Sequence, residues 1–242
     1  MVLSINAGSS SLKFALAKVL PGSAPVRTAH GLIEGIGTAP HMVVHDIKGH
    51  ILNERHWDKT PQQAHDVFLT ALFDWVDTQI GSDRLIGVGH RVVHGGQHFT
   101  RPVLVNAAIL DRLEALVPLA PLHQPHNLAA IRTIRAVRPQ LPQIACFDTA
   151  FHARQPPVAT RFAIPRALNA EGVRRYGFHG LSYEYGARLL AQIDPDMARS
   201  RLMVAHLGNG ASLCAIRDGQ SIDTTMGFTA LDGLMMGTRC GA

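Results

Sequence analysis

Ile5-Asn6-Ala7-Gly8-Ser9-Ser10-Ser11-Leu12-Lys13-Phe14 places a carboxamide, three hydroxyls and an amine within one short stretch. Val2, Leu3 and Ile5 lead into it as an apolar strand, and Leu12, Phe14 and Leu16 leave it in alternation with Ser11, Lys13 and Ala15. That is the period-two pattern of a half-buried strand, with Ser11 and Lys13 on one face. Strand, glycine turn and strand are therefore expected, with Gly8 supplying the backbone freedom of a tight turn. The amides and hydroxyls of Ser9 and Ser10 would then face an anion of phosphate size. The stretch is not a GxxxxGK[ST] loop, and the strand that follows offers no helix N-terminus to a phosphate. By itself it fits two readings equally, a phosphate-holding turn and an ordinary serine-rich hairpin.

A chain of 242 residues, 46% hydrophobic and 17% charged, has enough apolar material for a soluble protein of two small domains. No apolar run is long enough to span a bilayer, and the N-terminus lacks a basic and apolar stretch of secretory type, so a cytoplasmic, membrane-free protein is expected. Cys146, Cys214 and Cys240 are odd in number and far apart, which argues against a disulfide framework or a zinc knuckle and for buried thiols. The formal charge of +5 suits an anionic ligand. The arginines are scattered and no nucleic-acid module is legible, so a phosphate-sized partner is expected and nucleic acid is not. A basic nucleic-acid- or metal-binding protein rests only on that charge and on 14 histidines. Of these, His30, His41, His45, His50, His56 and His65 show no metal-ligand spacing and read as surface or structural residues, as do His94, His98, His126 and His152.

Pro21-Gly22 closes the first strands, and Val43-Val44 and Ile51-Leu52 continue an antiparallel sheet. Thr60-Pro61-Gln62-Gln63 reads as a capped helix start, followed by Ala64, Val67, Phe68, Ala71, Leu72, Trp75 and Val76 at helical spacing as far as Gly81. A strand follows over 85–93, then a helix from Asn106 that Pro118 stops, then a helix over 127–137. The strand Ile144 to Phe147 ends in Asp148-Thr149-Ala150, where a sheet can present a carboxylate. Tyr183 and Tyr185 read as helix packing. Residues 203–216 overlay 2–15 without gaps, which places Ser212-Leu213 on Ser11-Leu12 and implies a second domain opening with its own strand–turn–strand. Asp218-Gly219 marks the next hairpin.

The chemistry-bearing residues are spread over several such loops: Asn6 to Phe14, His90-Arg91-Val92-Val93-His94-Gly95-Gly96, Cys146-Phe147-Asp148-Thr149-Ala150-Phe151-His152, Arg174-Arg175-Tyr176-Gly177-Phe178-His179-Gly180, His206-Leu207-Gly208-Asn209-Gly210 and Met236-Gly237-Thr238-Arg239-Cys240-Gly241. In this order, and over the whole chain, they resemble the acetate kinase family. The resemblance implies an α/β fold of duplicated ribonuclease-H-like domains of the actin-like ATPase type, divided as 1–150 and 151–242. It also implies reversible, Mg2+- or Mn2+-dependent phosphoryl transfer from ATP to acetate, giving acetyl phosphate and ADP, by a cytoplasmic homodimer.

Phosphoryl transfer needs positioning and positive charge around the phosphoryl oxygens, and the acceptor carboxylate is itself the nucleophile. By resemblance, Arg91 and Arg239 bind substrate and phosphoryl, His179 stabilises the transition state, and Asp148 is the catalytic carboxylate. Asn6 belongs to the metal site, while Ser9, Ser11 and Lys13 position phosphate. His206, Leu207, Gly208, Asn209 and Gly210 form the nucleotide-phosphate loop, His123 is a further active-site histidine, and Val93, Leu122 and Phe178 line the methyl pocket. The family continues beyond Arg239-Cys240-Gly241, so a truncated second domain, exposed apolar surface and weak or absent activity of the isolated chain are expected. Ala230 stands where the family usually has proline, which implies a roomier acyl pocket. The alternatives are a non-catalytic acyl-phosphate-binding module and a propionate or butyrate kinase.

Overall fold

The structure, a computed structural model, describes residues 1–58, 65–237 and 239–241. It forms two compact units, one of Met1–Val92, Val103–Glu114 and Leu122–Ala145, the other of Val93–Pro102, Ala115–Pro121 and Cys146–Ala242. In chain order the first elements are β1 (Val2–Ala7), β2 (Leu12–Lys18), β3 (Val26–Glu34), β4 (His41–Asp46), β5 (Ile51–His56), α1 (His65–Ile80) and β6 (Gly87–Val92). Then come β7 (Val103–Leu104), α2 (Ala107–Glu114), α3 (Gln124–Val137) and β8 (Gln143–Phe147). The remainder holds α4 (Pro157–Thr160), α5 (Arg166–Ala170), α6 (Gly180–Ile193), α7 (Pro195–Ala198), β9 (Arg201–Leu207), β10 (Ala211–Arg217) and β11 (Gln220–Thr224).

The first unit is built on a mixed sheet of order β5-β4-β3-β2-β1-β6-β8-β7, in which β1 runs antiparallel to β2 and parallel to β6. The alternation read from Leu12 to Leu16 sorts the side chains as expected. Leu3, Ile5, Leu12, Phe14 and Leu16 enter one core with Phe68, Leu72 and Val76 of α1 and Ala130 and Ile134 of α3. A Cβ on Gly31 would lie 2.3 Å from Phe14 Cζ, so the Phe14 ring occupies the room that glycine leaves. Asn6 pairs with Lys13 across β1–β2 on the opposite, polar face.

The helices depart from expectation in detail. The Thr60–Gln63 cap and Ala64 lie outside the described residues. Phe68, Leu69, Leu72, Phe73 and Val76 form the buried stripe of α1, which leaves Val67 39% exposed at its edge. Gly81 follows with φ +54°, a left-handed C-terminal residue. Asn106 caps α2 by accepting from the Ile109 amide at 2.9 Å. That helix ends at Glu114, ahead of Pro118, which sits at the start of a separate 3-10 turn where its missing N–H costs nothing. For the same reason Pro125 allows α3 to begin at Gln124, three residues ahead of Asn127.

The second unit's sheet is the antiparallel meander β11-β10-β9. Tyr183 and Ala187 of α6 pack on Cys214 and Ile216 of β10. Asp218 (φ +52°) and Gly219 (φ +71°) make the two-residue turn between β10 and β11, as Asp-Gly predicts. The repeat overlay needs correction. His206 pairs with Ser212 and the inward side chains of β10 are Ser212, Cys214 and Ile216, whereas Ala7 pairs with Leu12. The turn between the paired strand ends holds three residues, 208–210, against four, 8–11, so a gap-free overlay cannot keep both register and inward face. Ser212 thus faces inward, as Leu12 and Phe14 do, and does not fall on Ser11.

Of the cysteines, only Cys214 is buried; Cys146 is half-buried and Cys240 exposed, and all three are free thiols. Met203 and Leu207 on β9 are 75% and 76% exposed. Among the described residues no helix is long and apolar enough to cross a membrane.

Candidate functional site

In the first unit the candidate residues gather at the C-terminal end of β1. Parallel pairing with β6 alternates its side chains, so His90 goes inward and Arg91 outward. Buried His90 bonds to Gln143 Oε1 at 2.8 Å, and burial pushes its imidazole down to about 4. Arg91 Nη1 donates to Asn6 Oδ1 at 3.2 Å. Arg91, Asn6 and Lys13 thus share the polar face. Ser9 and Ser10 are exposed in the turn and Ser11 is half-buried.

The turn closes through the Gly8 amide, which donates to Ser11 O at 2.8 Å, and the Ile36 amide, which donates to Ser10 O at 3.1 Å. The freedom expected of Gly8 is not what the turn uses. Gly8 is absent from the residues with positive φ, and a Cβ there would sit at ordinary contact, 3.5 Å from Ser11 O. The end of β1 is fixed instead by α3, where buried Asn127 donates from Nδ2 to Ala7 O at 2.6 Å. His123 is the N-cap residue of α3 and half-buried, while Leu122, expected in an apolar pocket, is 68% exposed.

The second unit holds a denser set. Asp148, at 1% exposure, follows β8 directly, and its backbone oxygen accepts from the Gly180 amide at 2.9 Å. A Cβ on Gly180 would lie 2.0 Å from that oxygen and 2.9 Å from Phe151 Cβ, so the first turn of α6 reaches Asp148 only through glycine. Gly180→Ala is expected to lower stability by about 1–3 kcal/mol, the usual cost of overpacking a filled site. A denaturant midpoint unchanged from the unsubstituted protein would contradict this close approach.

The loop before α6 is held by its backbone. The Tyr176 and Gly177 amides both donate to Gly227 O, and Arg175 Nη2 donates to Thr224 O at 2.7 Å. Buried His152 bonds from Nε2 to Phe178 O at 2.9 Å and through Nδ1 to Ser221 Oγ at 2.8 Å. Burial pushes it down to about 4, so it serves this loop as a neutral ring. Val93 and Phe178 are buried in one apolar cluster with Ala120, Met226 and Met236, against which Ala230 packs. Buried His94 stands edge-on to Tyr176 and Phe178 at 4.6 and 5.6 Å, and burial pushes it also down to about 4.

His179 adopts a left-handed backbone, φ 57° and ψ 17°, which costs a residue with a Cβ about 1–2 kcal/mol. Its ring is set by Nδ1, 2.8 Å from Ser212 Oγ, and by stacking on His206 at 4.0 Å. Ser212 in turn meets Tyr183 OH at 2.5 Å. The other ring nitrogen, Nε2, lies near Gly210, where a Cβ would be 3.1 Å from it and 3.7 Å from Arg239 Nη1. Gly210, His179 and Arg239 therefore meet at one point, and the absence of a side chain at 210 keeps that point open. Arg239 also donates to Met236 Sδ at 3.4 Å. His206 bonds through Nδ1 to Ser182 Oγ at 3.0 Å, Gly208 donates to Gly210 O at 3.1 Å, and Leu207, Gly208 and Asn209 lie exposed.

Ser212 and Tyr183 were missed as positioning residues. Tyr183 is four residues after His179 and on the same side of α6, a signal that was available; Ser212 was misplaced by the gap-free overlay. Tyr185, read with it as packing, is 69% exposed.

The acetokinase family pattern matches residues 1–242. The acetate kinase of Methylocella silvestris is 50% identical over 246 residues, covering 99% of this chain and 61% of that protein. The acetate kinase of Rhodopseudomonas palustris strain CGA009 is 51% identical, with 100% and 61% covered. Among solved structures, a propionate kinase from Francisella tularensis superposes with a TM-score of 0.88 at 40% identity, over 100% of this chain and 61% of the other. The acetate kinase of Porphyromonas gingivalis does so at 0.83 and 34%, with the same coverage. The chain thus spans about three fifths, 61%, of the length of these relatives. The α/β fold of the actin-like ATPase type that the sequence implied is the fold it shares with them, and the chain belongs to the acetokinase family.

Proposed function

We propose that this chain works in acetate kinase chemistry, the reversible transfer of the γ-phosphoryl group of ATP to acetate to give acetyl phosphate and ADP. The observation that carries the reading, beside family membership, is the meeting of the Gly210 backbone with His179 Nε2 and Arg239 Nη1. A side-chain-free backbone next to a guanidinium and an oriented imidazole suits an anion whose charge lies on equatorial oxygens. The acetate oxygen attacks phosphorus directly, in line with the departing ADP oxygen, so the protein contributes no covalent nucleophile. Arg91 and Arg239 are assigned to substrate and phosphoryl oxygens, for which a planar guanidinium with permanent charge is suited. His179 donates to the transferring group through Nε2, held in place by Ser212 at Nδ1. Ser9, Ser11, Lys13 and the 206–210 loop take phosphate, and His123 the acyl substrate.

Asn6 offers a hard oxygen donor through Oδ1, which fits magnesium or manganese, and it would hold the ion through water, while Asp148 is assigned as the catalytic carboxylate. When bound, the ion neutralises charge on the nucleotide phosphates. A cytoplasmic homodimer is the setting proposed for the reaction.

Calorimetry with acetyl phosphate and with ATP plus magnesium tests the reading. Binding of both is expected; acetyl phosphate binding without ATP would favour a non-catalytic acyl-phosphate-binding module.

A second reading, propionate as acceptor, is favoured by one observation. Ala230 packs against the cluster of Val93, Phe178, Met226 and Met236, where a larger side chain would take room from an acyl chain. Ala230→Pro is expected to shift the ratio of kcat/KM for propionate over acetate downward by about 10-fold, the range for one methylene in an apolar pocket. An unchanged ratio would remove this reading.

A further inference from the structure

The polar face of the first unit's sheet carries a second cluster of ligating side chains, separate from those assigned to phosphoryl transfer. His41 on β4 is the register partner of His56 on β5, and their rings stack at 4.1 Å and 6°. Glu54, two residues before His56, points to the same face. Its Oε1 lies 2.9 Å from His41 Nε2 and 3.7 Å from His56 Nε2, and one ligand atom from each of the three falls within 4.8 Å of the others. On β3, Glu34 pairs with His41 and holds a carboxylate oxygen 4.0 Å from His41 Nδ1. The sequence spacing 41, 54, 56 concealed this group, because only the β4–β5 register brings it together.

We propose that His41, Glu54 and His56 bind a divalent transition-metal cation of the zinc class. Two imidazoles and a carboxylate are the donors such ions prefer, while magnesium prefers oxygen alone. In a tetrahedral shell with metal–ligand bonds of about 2.0–2.2 Å, neighbouring ligand atoms stand about 3.3–3.5 Å apart. The two distances to Glu54 bracket that spacing, so small rotamer changes complete the shell. Glu34, 4.0 Å from His41 Nδ1, is too far for a hydrogen bond and adds negative charge beside the site. The side chain of His41 is 25% exposed, that of Glu54 47% and that of His56 72%, so the ion enters from solvent and keeps water in its fourth position. Binding ties β5, the edge strand, to β4.

The test is a titration of the untagged 242-residue chain with Zn2+ alone by calorimetry, with Co2+ as an optical probe. One equivalent is expected, with binding about 10- to 100-fold weaker in His41→Ala and His56→Gln, and with a cobalt spectrum free of thiolate charge transfer. Zinc should raise the Tm of the unsubstituted chain and not of these variants. His50→Ala, on the exposed turn after β4 where it pairs with Asp46, should bind as the unsubstituted chain does. Should His41→Ala fail to fold, the exposed His56→Gln carries the comparison. Equal affinity in His56→Gln, no uptake by the unsubstituted chain, or a thiolate–cobalt band from cysteine ligation would each overturn the proposal.

Discussion

Arg239→Ala is expected to lower acetyl-phosphate formation on the order of 10³-fold, and Arg91→Ala by a similar factor, as for other arginines that stabilise phosphoryl transfer. For Arg239 the reason is its place beside Gly210 and His179 Nε2, where a guanidinium can meet charge that grows as the phosphoryl group moves. For Arg91 it is the polar face shared with Asn6, where loss of the side chain removes both a cation and the donor that orients the carboxamide. Arg239→Lys should recover only part of the rate, since an ammonium lacks the planar fork. The measurement is kcat and kcat/KM in a coupled assay against the unsubstituted protein, with circular dichroism to verify folding. A loss of under 10-fold in Arg239→Ala would remove it from the transition state. A loss confined to KM would make it a binding residue only.

Acid should destabilise the protein steeply, in a pH window set by three buried histidines. His90, His94 and His152 are each held down to about 4 by burial, against about 6.5 in an unfolded chain. Between these values the unfolded chain binds the protons and the folded one does not. Stability is therefore complete above about pH 6.5 and falls as pH drops through the window to about 4. Each histidine contributes on the order of 3 kcal/mol across the full window, a large share of a domain's stability. Denaturant unfolding at pH 7 and pH 5 checks this. His152→Asn, which keeps a polar but smaller, non-titrating group there, should be less stable at pH 7 and show a shallower fall. Equal slopes in the two proteins would show that His152 does not titrate on unfolding.

The hairpin of β1 and β2 was legible because burial of one face imposes strict alternation, and Leu12, Phe14 and Leu16 could face only one way. The Asp218-Gly219 turn was legible because two consecutive left-handed residues demand that composition. The ordered loops pointed to the family, since each holds residues whose chemistry makes sense together. What stayed hidden depended on register, burial or backbone conformation. Nothing local marks His179 as left-handed. Cys240 looks like any other cysteine until its exposure is known. The membership of residues 93–102 and 115–121 in the second unit is fixed by contacts distant in sequence, which periodicity does not report. The apparent need for glycine at position 8 was misread; the true steric demand lies at Gly180.

The one-residue difference between the β9–β10 turn, 208–210, and the β1–β2 turn, 8–11, has a consequence for how repeated elements diverge. A substitution changes one side chain, but an insertion in a hairpin turn exchanges which side chains of the second strand face inward, all at once. Ser212 owes its inward position, and with it the bonds to His179 and Tyr183, to that change of parity. An engineered deletion within 207–211 would therefore act on residues it does not touch, turning Ser212 out and Leu213 in. Loop length, as much as residue identity, is what a single indel would inherit or erase in this chain.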